Sequence, residues 1–503
     1  MAVVRKAAEY REKEDITEFL GNPLIAALPA SVSQGELLKL LLKIPPYRKE
    51  DRRADTPIRL DLLSRIGTVH IPYAHDVFIA RSLSRCINWG YVARNPIPFD
   101  VTSRVVARYR GEVPGELENY LKGAVFPVYG FSVLGISGVG KSCSVLNALR
   151  FYPQVIDHVE YNGVPFHCAQ LVWLKVDCPS DGSPKGLCTA ILQQIDAVLG
   201  THYRNGVTSR ISRDVLTTKV SQCLCSHHLG VLVIDDIQNL CGNKKDATLD
   251  MLSFLVYLME TLAIPVVMVG TPKVLPLFQQ EFQLAKRATG DGTVRMNLLA
   301  RDSREWERFI TGIWNNQFTG CEVKLTAEMA NVFYSESVGN PFLCSLIYKL
   351  VQDDAITSGA ESFGVQDVVS VARDKLCITN TMRANMLKGT DEEMKRYEYL
   401  WAAASAPFPD NLETDPQVGR TPKTSKEEQL ISAVSVELAR RFGMGISQAT
   451  RLAQEAVAAK GLADQSEVLG FAIALYEAAF PDKQHESPFG EGGQHDGSGE
   501  GGG

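Results

Sequence analysis

The sequence predicts an α/β fold on a five-stranded parallel sheet with a helical lid behind it, and three observations carry the prediction. Short apolar strands alternate with helix-length amphipathic stretches between residues 124 and 300, the pattern of a parallel sheet covered by helices. A glycine-rich run, Gly135-Ile136-Ser137-Gly138-Val139-Gly140-Lys141-Ser142, follows the first of those strands and opens a helix-compatible stretch. Another strand, Val231-Leu232-Val233-Ile234, runs into the paired carboxylates Asp235-Asp236 about ninety residues after Lys141.

Taken in order, residues 1–120 are mixed, with helix candidates at 35–43 and 74–90 around a charged stretch at 47–55, and are expected to form an appended N-terminal recognition or partner domain. The α/β core is expected over 121–300, with strands at 128–134, 170–176, 230–234, 264–269 and 293–299. Helices are expected between them near 141–150, 184–199, 246–262 and 273–287. Residues 301–380 show helical periodicity at 303–316, 326–336, 341–353 and 365–375 without strand alternation. A small helical lid after such a core is the layout of AAA+ ATPases. A helix and linker at 381–424 carries Pro407, Pro409, Pro416 and Pro422. A small helical partner-binding module is expected at 425–482, its first two helices parted by Gly443 and Gly445, and the glycine-rich tail 483–503 should stay unfolded.

With 503 residues, 45% hydrophobic and 22% charged, the chain has the composition of an ordinary globular protein of about three domains. No span reaches the length of a membrane helix, and Met1 to Asp15 lacks the apolar stretch of a secretory signal. A cytoplasmic location and no membrane partner are therefore expected. Eleven cysteines, an odd number, fit reduced thiols better than a disulfide framework. A net charge of −6 neither supports nor excludes DNA, since any nucleic-acid surface would be a local patch.

The glycine-rich run is a complete phosphate-binding loop and predicts ATP with Mg²⁺. Gly135, Ser137, Gly138, Val139, Gly140 and Cys143 frame the phosphates, Lys141 reaches the β and γ oxygens, and the Ser142 hydroxyl ligates the metal. Asp235 is the second metal residue, holding Mg²⁺ through water, and Asp236 is the candidate to polarise the attacking water. The usual residue there is Glu, and a carboxylate one methylene shorter predicts slow hydrolysis; the plain alternative is a turn residue. Thr271 follows the strand at 264–269, at a tip that this layout puts between the loop and the carboxylates, as a water-orienting sensor, a helix cap or both. Lys286 and Arg287 stand before the last strand. Arg287 is the candidate to stabilise charge on a neighbouring subunit's γ-phosphate, the alternative being a helix-end dipole contact.

In the lid, Gly339-Asn340-Pro341 continues with Phe342 and Leu343, so the arginine usual after such a helix start is missing. Cys223-x-Cys225 with His227 and His228 lacks the second ligand pair of a zinc ribbon. Residues 437–455 have the outline of a helix-turn-helix, although most such hairpins only dock partners.

Four segments together resemble the TnsC family and its shorter relative TniB, AAA+ regulators of cut-and-paste DNA transposition. They are Gly90-Tyr91-Val92-Ala93-Arg94-Asn95-Pro96, the strand and loop from Phe131 to Ser142, Gln170-Leu171-Val172-Trp173-Leu174-Lys175-Val176-Asp177-Cys178-Pro179, and Asp235-Asp236-Ile237-Gln238-Asn239-Leu240. The likeness covers roughly residues 57–355. It implies an ATPase that binds duplex DNA, assembles with copies of itself into rings or filaments, and links a target-selector protein of the TnsD or TniQ kind to transposase subunits. DNA contacts in that family come from loops facing the ring interior, which makes Lys185, after Asp181-Gly182-Ser183-Pro184, the candidate here. A solvated lysine is its plain alternative. Two other functions share the core: a non-catalytic ATP-binding scaffold, and a helicase loader or replication initiator.

Overall fold

The computed structural model describes residues 3–97, 128–275 and 290–380, apart from 14, 209, 243 and 244, together with 446–460 and a few single positions. The chain divides into two compact units, 1–408 and 409–503.

The N-terminal segment contains strand β1 (Arg5–Ala7) and helices α1 (Pro23–Ala26), α2 (Gln34–Leu41), α3 (Thr56–Leu62) and α4 (Ala74–Val92). A capping box starts α2, with Ser33 and Glu36 bonding each other's backbone N–H. The core follows as β2 (Phe131–Gly135), α5 (Lys141–Leu149), β3 (Val155–Tyr161), β4 (Val164–Leu171), β5 (Trp173–Asp177), α6 (Pro184–Leu199), α7 (Arg213–Ser226), β6 (Val231–Asp235), α8 (Lys245–Glu260), β7 (Val266–Gly270) and β8 (Thr293–Met296).

Five of these strands form one parallel sheet in the order β5-β6-β7-β2-β8. Alternate residues point to opposite faces. Leu174, Val176, Leu232, Ile234, Val266 and Met268 pack under α6, α7 and α8 on one face. Phe131, Val133, Val231, Val233, Val267 and Val269 pack under α4 and α5 on the other. Helix α6 shows why such elements form where they do: the Ser183 hydroxyl caps it, Pro184 occupies its first turn, Gly200 ends it at φ 72°, and Leu187, Ile191 and Ile195 fall on one buried stripe.

Two features depart from the sequence reading. The apolar run 170–176 is not one strand. Leu171 closes β4, antiparallel to β3, and Trp173 opens β5, while Val172 donates its N–H to the Gln154 carbonyl at 3.0 Å. One continuous hydrophobic stretch is thus shared between the main sheet and a three-stranded sheet β1-β3-β4 that the pattern did not announce. Helix α7 was likewise unforeseen. Of the helix expected at 273–287, the described residues are the 3-10 turn Pro272–Val274 and the helical positions Leu275 and Lys286.

The N-terminal segment, expected as an appended domain, shares its interior with the rest. Phe19, Leu24, Ile25 and the inner side of α4 join the core beneath the sheet, and Leu63, Ile66, Ile71 and Tyr73 join the lid. The lid consists of α9 (Arg304–Trp314), α10 (Ala327–Ser337), α11 (Pro341–Thr357) and α12 (Val365–Lys375). Its centre is aromatic, with Trp314 stacked on Tyr348 at 4.9 Å between centroids; each such ring contributes about 2 kcal/mol of burial. In the second unit the description is confined to α13 (Ile446–Lys460), whose Ala453, Ala456 and Val457 are buried at helical spacing, and to single positions. The rest of the 425–482 module and the tail lie outside the described residues.

Candidate functional site

Strand β2 delivers the chain to Gly135 at the C-terminal edge of the sheet, and α5 begins at Lys141. Between them Gly138 and Gly140 stand at φ 86° and 97°, left-handed values that let successive N–H groups curl inward. Ser142 and Cys143 are exposed in the first turn of α5, where the free N–H groups and the helix dipole favour an anion. Lys141 folds onto its own loop, donating to the Ile136 carbonyl at 2.9 Å.

The lid closes on this loop through a residue the sequence reading did not single out. Asn340 caps α11 by accepting from the N–H groups of Phe342 and Leu343, and its amide donates to the Ser137 carbonyl at 3.0 Å. The Phe342 N–H also donates to the Gly138 carbonyl at 3.2 Å. A Cβ on Gly138 would lie 2.6 Å from the Asn340 Oδ1, so this glycine is required by the contact as well as by its φ. Phe342, where a lid arginine was sought, is exposed.

The carboxylate edge is built from side chains that hold one another. Asp235, 4% exposed, ends β6. Its Oδ2 lies 2.8 Å from the Lys175 Nζ on the neighbouring strand, and its Oδ1 accepts the Asp236 N–H at 3.0 Å. Burial works against the Lys175 ammonium, yet the bonds to Asp235 and Asp177 keep its pKa raised. Asp236 is exposed and sits at φ 55°, a conformation in which Asp and Asn are enriched over longer side chains. Its carboxylate accepts from the Gln238 amide at 2.9 Å, and the Gln238 carbonyl oxygen accepts the Thr271 N–H at 3.0 Å. Thr271 is buried at the tip of β7, which lies between β2 and β6. It makes no side-chain cap, and its hydroxyl has no hydrogen-bond partner among the described residues. The capping alternative is therefore not realised.

A third cluster supports the start of α5. Asp76, fully buried, lies 3.1 Å from the His70 ring and 3.2 Å from the His75 ring, and the Cys143 sulfur lies 3.8 Å from the His70 Nδ1. Burial opposes charge on His70, but Asp76 and Cys143 hold its pKa up at about 9. A cavity of about 940 Å³ lies at the start of α5, lined by Ser142, Cys143, Lys175 and Asp177 together with Lys43, Ile44 and Pro45.

The remaining candidates are dispersed. Lys185 lies in the first turn of α6 and donates to the Ile211 carbonyl at 2.8 Å. Arg287 falls outside the described residues; its neighbour Lys286 is exposed. Cys223 is buried, and His227 is bonded to the Tyr203 hydroxyl and faces the Ala169 carbonyl. Gln238, Lys175 and Asn340 were overlooked because each acts across a contact that no local spacing records.

These residues fit a magnesium nucleotide. Positive-φ glycines open the loop, a lysine and a hydroxyl stand at the helix start, and a hard oxygen donor at the end of β6, one strand removed from β2, suits Mg²⁺ rather than a softer metal. Residues 130–278 match the family described as AAA domain. No curated protein matches the chain. Solved structures similar to it include Drosophila ORC bound to DNA, at 14% identity over 71% of this chain and 74% of that one with a TM-score of 0.34. A Walker-type ATPase of Pyrococcus abyssi has 12% identity over 55% and 74%, at a TM-score of 0.32. The ORC2 protein of Aeropyrum pernix, in its ADPNP and ADP complexes, has 12% identity over 77% and 81%, at 0.34. The loop, the sheet and the family match together make residues 130–278 an AAA domain on an AAA+ P-loop core.

Proposed function

We propose that this chain is an ATP-dependent regulator of DNA transposition. It assembles with copies of itself on duplex DNA and connects a target-selecting protein to transposase subunits, and ATP hydrolysis controls disassembly. The observation that carries the nucleotide part is the meeting of three elements at one edge of the sheet: the glycine loop, Asp235 with Asp236, and Thr271 between them. Lys141 and the N–H groups of the loop would bind the phosphates, Ser142 and Asp235 would hold Mg²⁺, and Leu42, Ile44 and Pro45 offer an apolar wall for the base. The metal these residues would hold would supply neutralisation of the phosphate charge. The Asp236 carboxylate, steered by Gln238, accepts a proton from water, and Thr271 helps to orient that water.

The DNA and partner part is supported by the resemblance to TnsC and TniB. Its segments brace the strand that carries the carboxylates: Tyr91 donates its hydroxyl to the His228 carbonyl and Arg94 donates to the Leu229 carbonyl just before β6, at the end away from Asp235, while β5 pairs along β6. Nucleotide at a subunit junction makes assembly depend on ATP, and many weak phosphate contacts then add along the duplex. Lys185 and Arg287 belong to this proposal as the DNA contact and the trans arginine. Imaging with duplex DNA and a non-hydrolysable ATP analogue tests it. Nucleotide-dependent rings or filaments are expected for the native chain and none for Lys141→Ala; assembly without nucleotide would contradict the proposal.

A non-catalytic scaffold is the second reading, favoured by the short Asp236 and by Phe342 in place of a lid arginine. Phosphate release with and without DNA separates the two, since the scaffold gives no stimulation.

A further inference from the structure

Asp235 is nearly buried and both of its oxygens are engaged, one by the Asp236 N–H and the other by Lys175. A carboxylate so enclosed needs a counter-charge, because an unpaired buried charge is strongly destabilising. Lys175 supplies it. A hydrated Mg²⁺ competes for the same carboxylate, and two cations sharing one acceptor repel each other. The fold provides a second place for the lysine. Parallel register sets Asp177 opposite Asp235 and Lys175 opposite Val233, so all three charged side chains share one face of the sheet. The Lys175 ammonium already lies 3.0 Å from the Asp177 carboxylate, which is 74% exposed and free of the burial that confines Asp235. Lys175 and Asp177 open into the cavity that also reaches Ser142.

We propose that Lys175 is the resident counter-cation of Asp235 in the nucleotide-free chain, and that it yields this carboxylate to Mg²⁺ by shifting wholly onto Asp177. Lys175 is a positioning residue: it keeps the metal carboxylate in place while no metal is bound and sets how much Mg²⁺ is needed to claim it. The inference rests on the nucleotide reading of the site.

The test is a titration of the full chain with Mg²⁺ at fixed fluorescent ATP analogue, read as nucleotide affinity rather than turnover, with the thermal midpoint measured in parallel. Lys175→Met is expected to lower the half-saturating Mg²⁺ at least fivefold and to lower the thermal midpoint without Mg²⁺, a loss that Mg²⁺ with nucleotide restores. Lys175→Arg, which keeps the charge but grips a carboxylate at two points, is expected to raise the half-saturating Mg²⁺ about threefold. Asp177→Asn, an exposed change that leaves the fold intact, is expected to raise it by a similar factor. An unchanged or raised half-saturating Mg²⁺ in Lys175→Met overturns the proposal. So does an unchanged half-saturating Mg²⁺ in Lys175→Arg, which would mean that only the local field matters. Should Lys175→Met fail to fold, an unchanged half-saturating Mg²⁺ in Asp177→Asn overturns it as well. Failure of the native chain to take up nucleotide at any Mg²⁺ concentration removes the site reading itself, and this inference with it.

Discussion

The two ends of the candidate site are made differently. At the phosphate end the geometry belongs to the backbone: Gly138 and Gly140 hold left-handed angles and the lid's Asn340 clasps the loop from outside. At the carboxylate edge the geometry belongs to side chains, with Lys175 on Asp235 and Gln238 bridging Asp236 to the Thr271 N–H. A backbone cradle is ready before its ligand arrives. A network of polar side chains must exchange partners when the ligand binds. Nucleotide uptake and hydrolysis are therefore expected to separate under mutation.

The largest effect that would break this contrast is at Gly138. An alanine there puts its Cβ 2.6 Å from the Asn340 Oδ1 and faces the left-handed backbone as well, a conformational penalty alone of about 1–2 kcal/mol. Gly138→Ala is expected to weaken nucleotide binding at least a hundredfold in an equilibrium titration and to loosen the lid. At the other end, a Cβ on Gly270 would lie 2.7 Å from the Gln238 Oε1 and from Ile237. Gly270→Ala is expected to displace Gln238, lowering phosphate release more than tenfold while nucleotide affinity stays within threefold. If both variants lose affinity equally, the two ends act as one.

Thr271→Val sharpens the comparison further. Its hydroxyl is buried with no partner among the described residues, and replacing an unsatisfied buried hydroxyl by a methyl is neutral or stabilising. The variant is expected to keep or raise its thermal midpoint and yet to lose about tenfold in turnover. A lowered midpoint with unchanged turnover would mark Thr271 as a structural residue.

What the sequence made legible follows the same division. The loop, the strand carrying Asp235 and the lid helices were readable because each is local: fixed spacing along the chain, or apolar residues recurring at helical period, as at Trp306, Phe309, Ile310 and Ile313. The small sheet was not, because β1 is three residues long and pairs with β3 some 150 positions away, and β3 and β4 mix buried and exposed residues without clean alternation. The chain passes from β4 to β5 at Val172 with no glycine or proline to mark it. Asp236 gains a physical reason that composition cannot show. Its left-handed backbone favours Asp over the expected Glu, so the shorter carboxylate suits the turn.

The smallest effect concerns how the phosphate end responds to pH. His70 sits beside Cys143 at the start of α5, with its pKa held up at about 9 against an ordinary 6.5, chiefly by Asp76 working against burial. A group whose folded pKa is raised contributes stability in full below its unfolded value, and that contribution disappears as pH climbs through the folded one. Stability from this pair should thus be complete below pH 6.5 and decline towards pH 9, by at most about 3 kcal/mol and less as solvent screens the partly accessible ring. Asp76 itself is depressed despite its burial, because His70 and His75 favour its charged form, so its share is lost only under acid. Asp76→Asn removes the charge and keeps the shape. It is expected to unfold at lower denaturant than the native chain at pH 6.5, and to lose the decline between pH 6.5 and 9. A variant that retains the native slope would place the titrating group elsewhere and leave the start of α5 supported by packing alone.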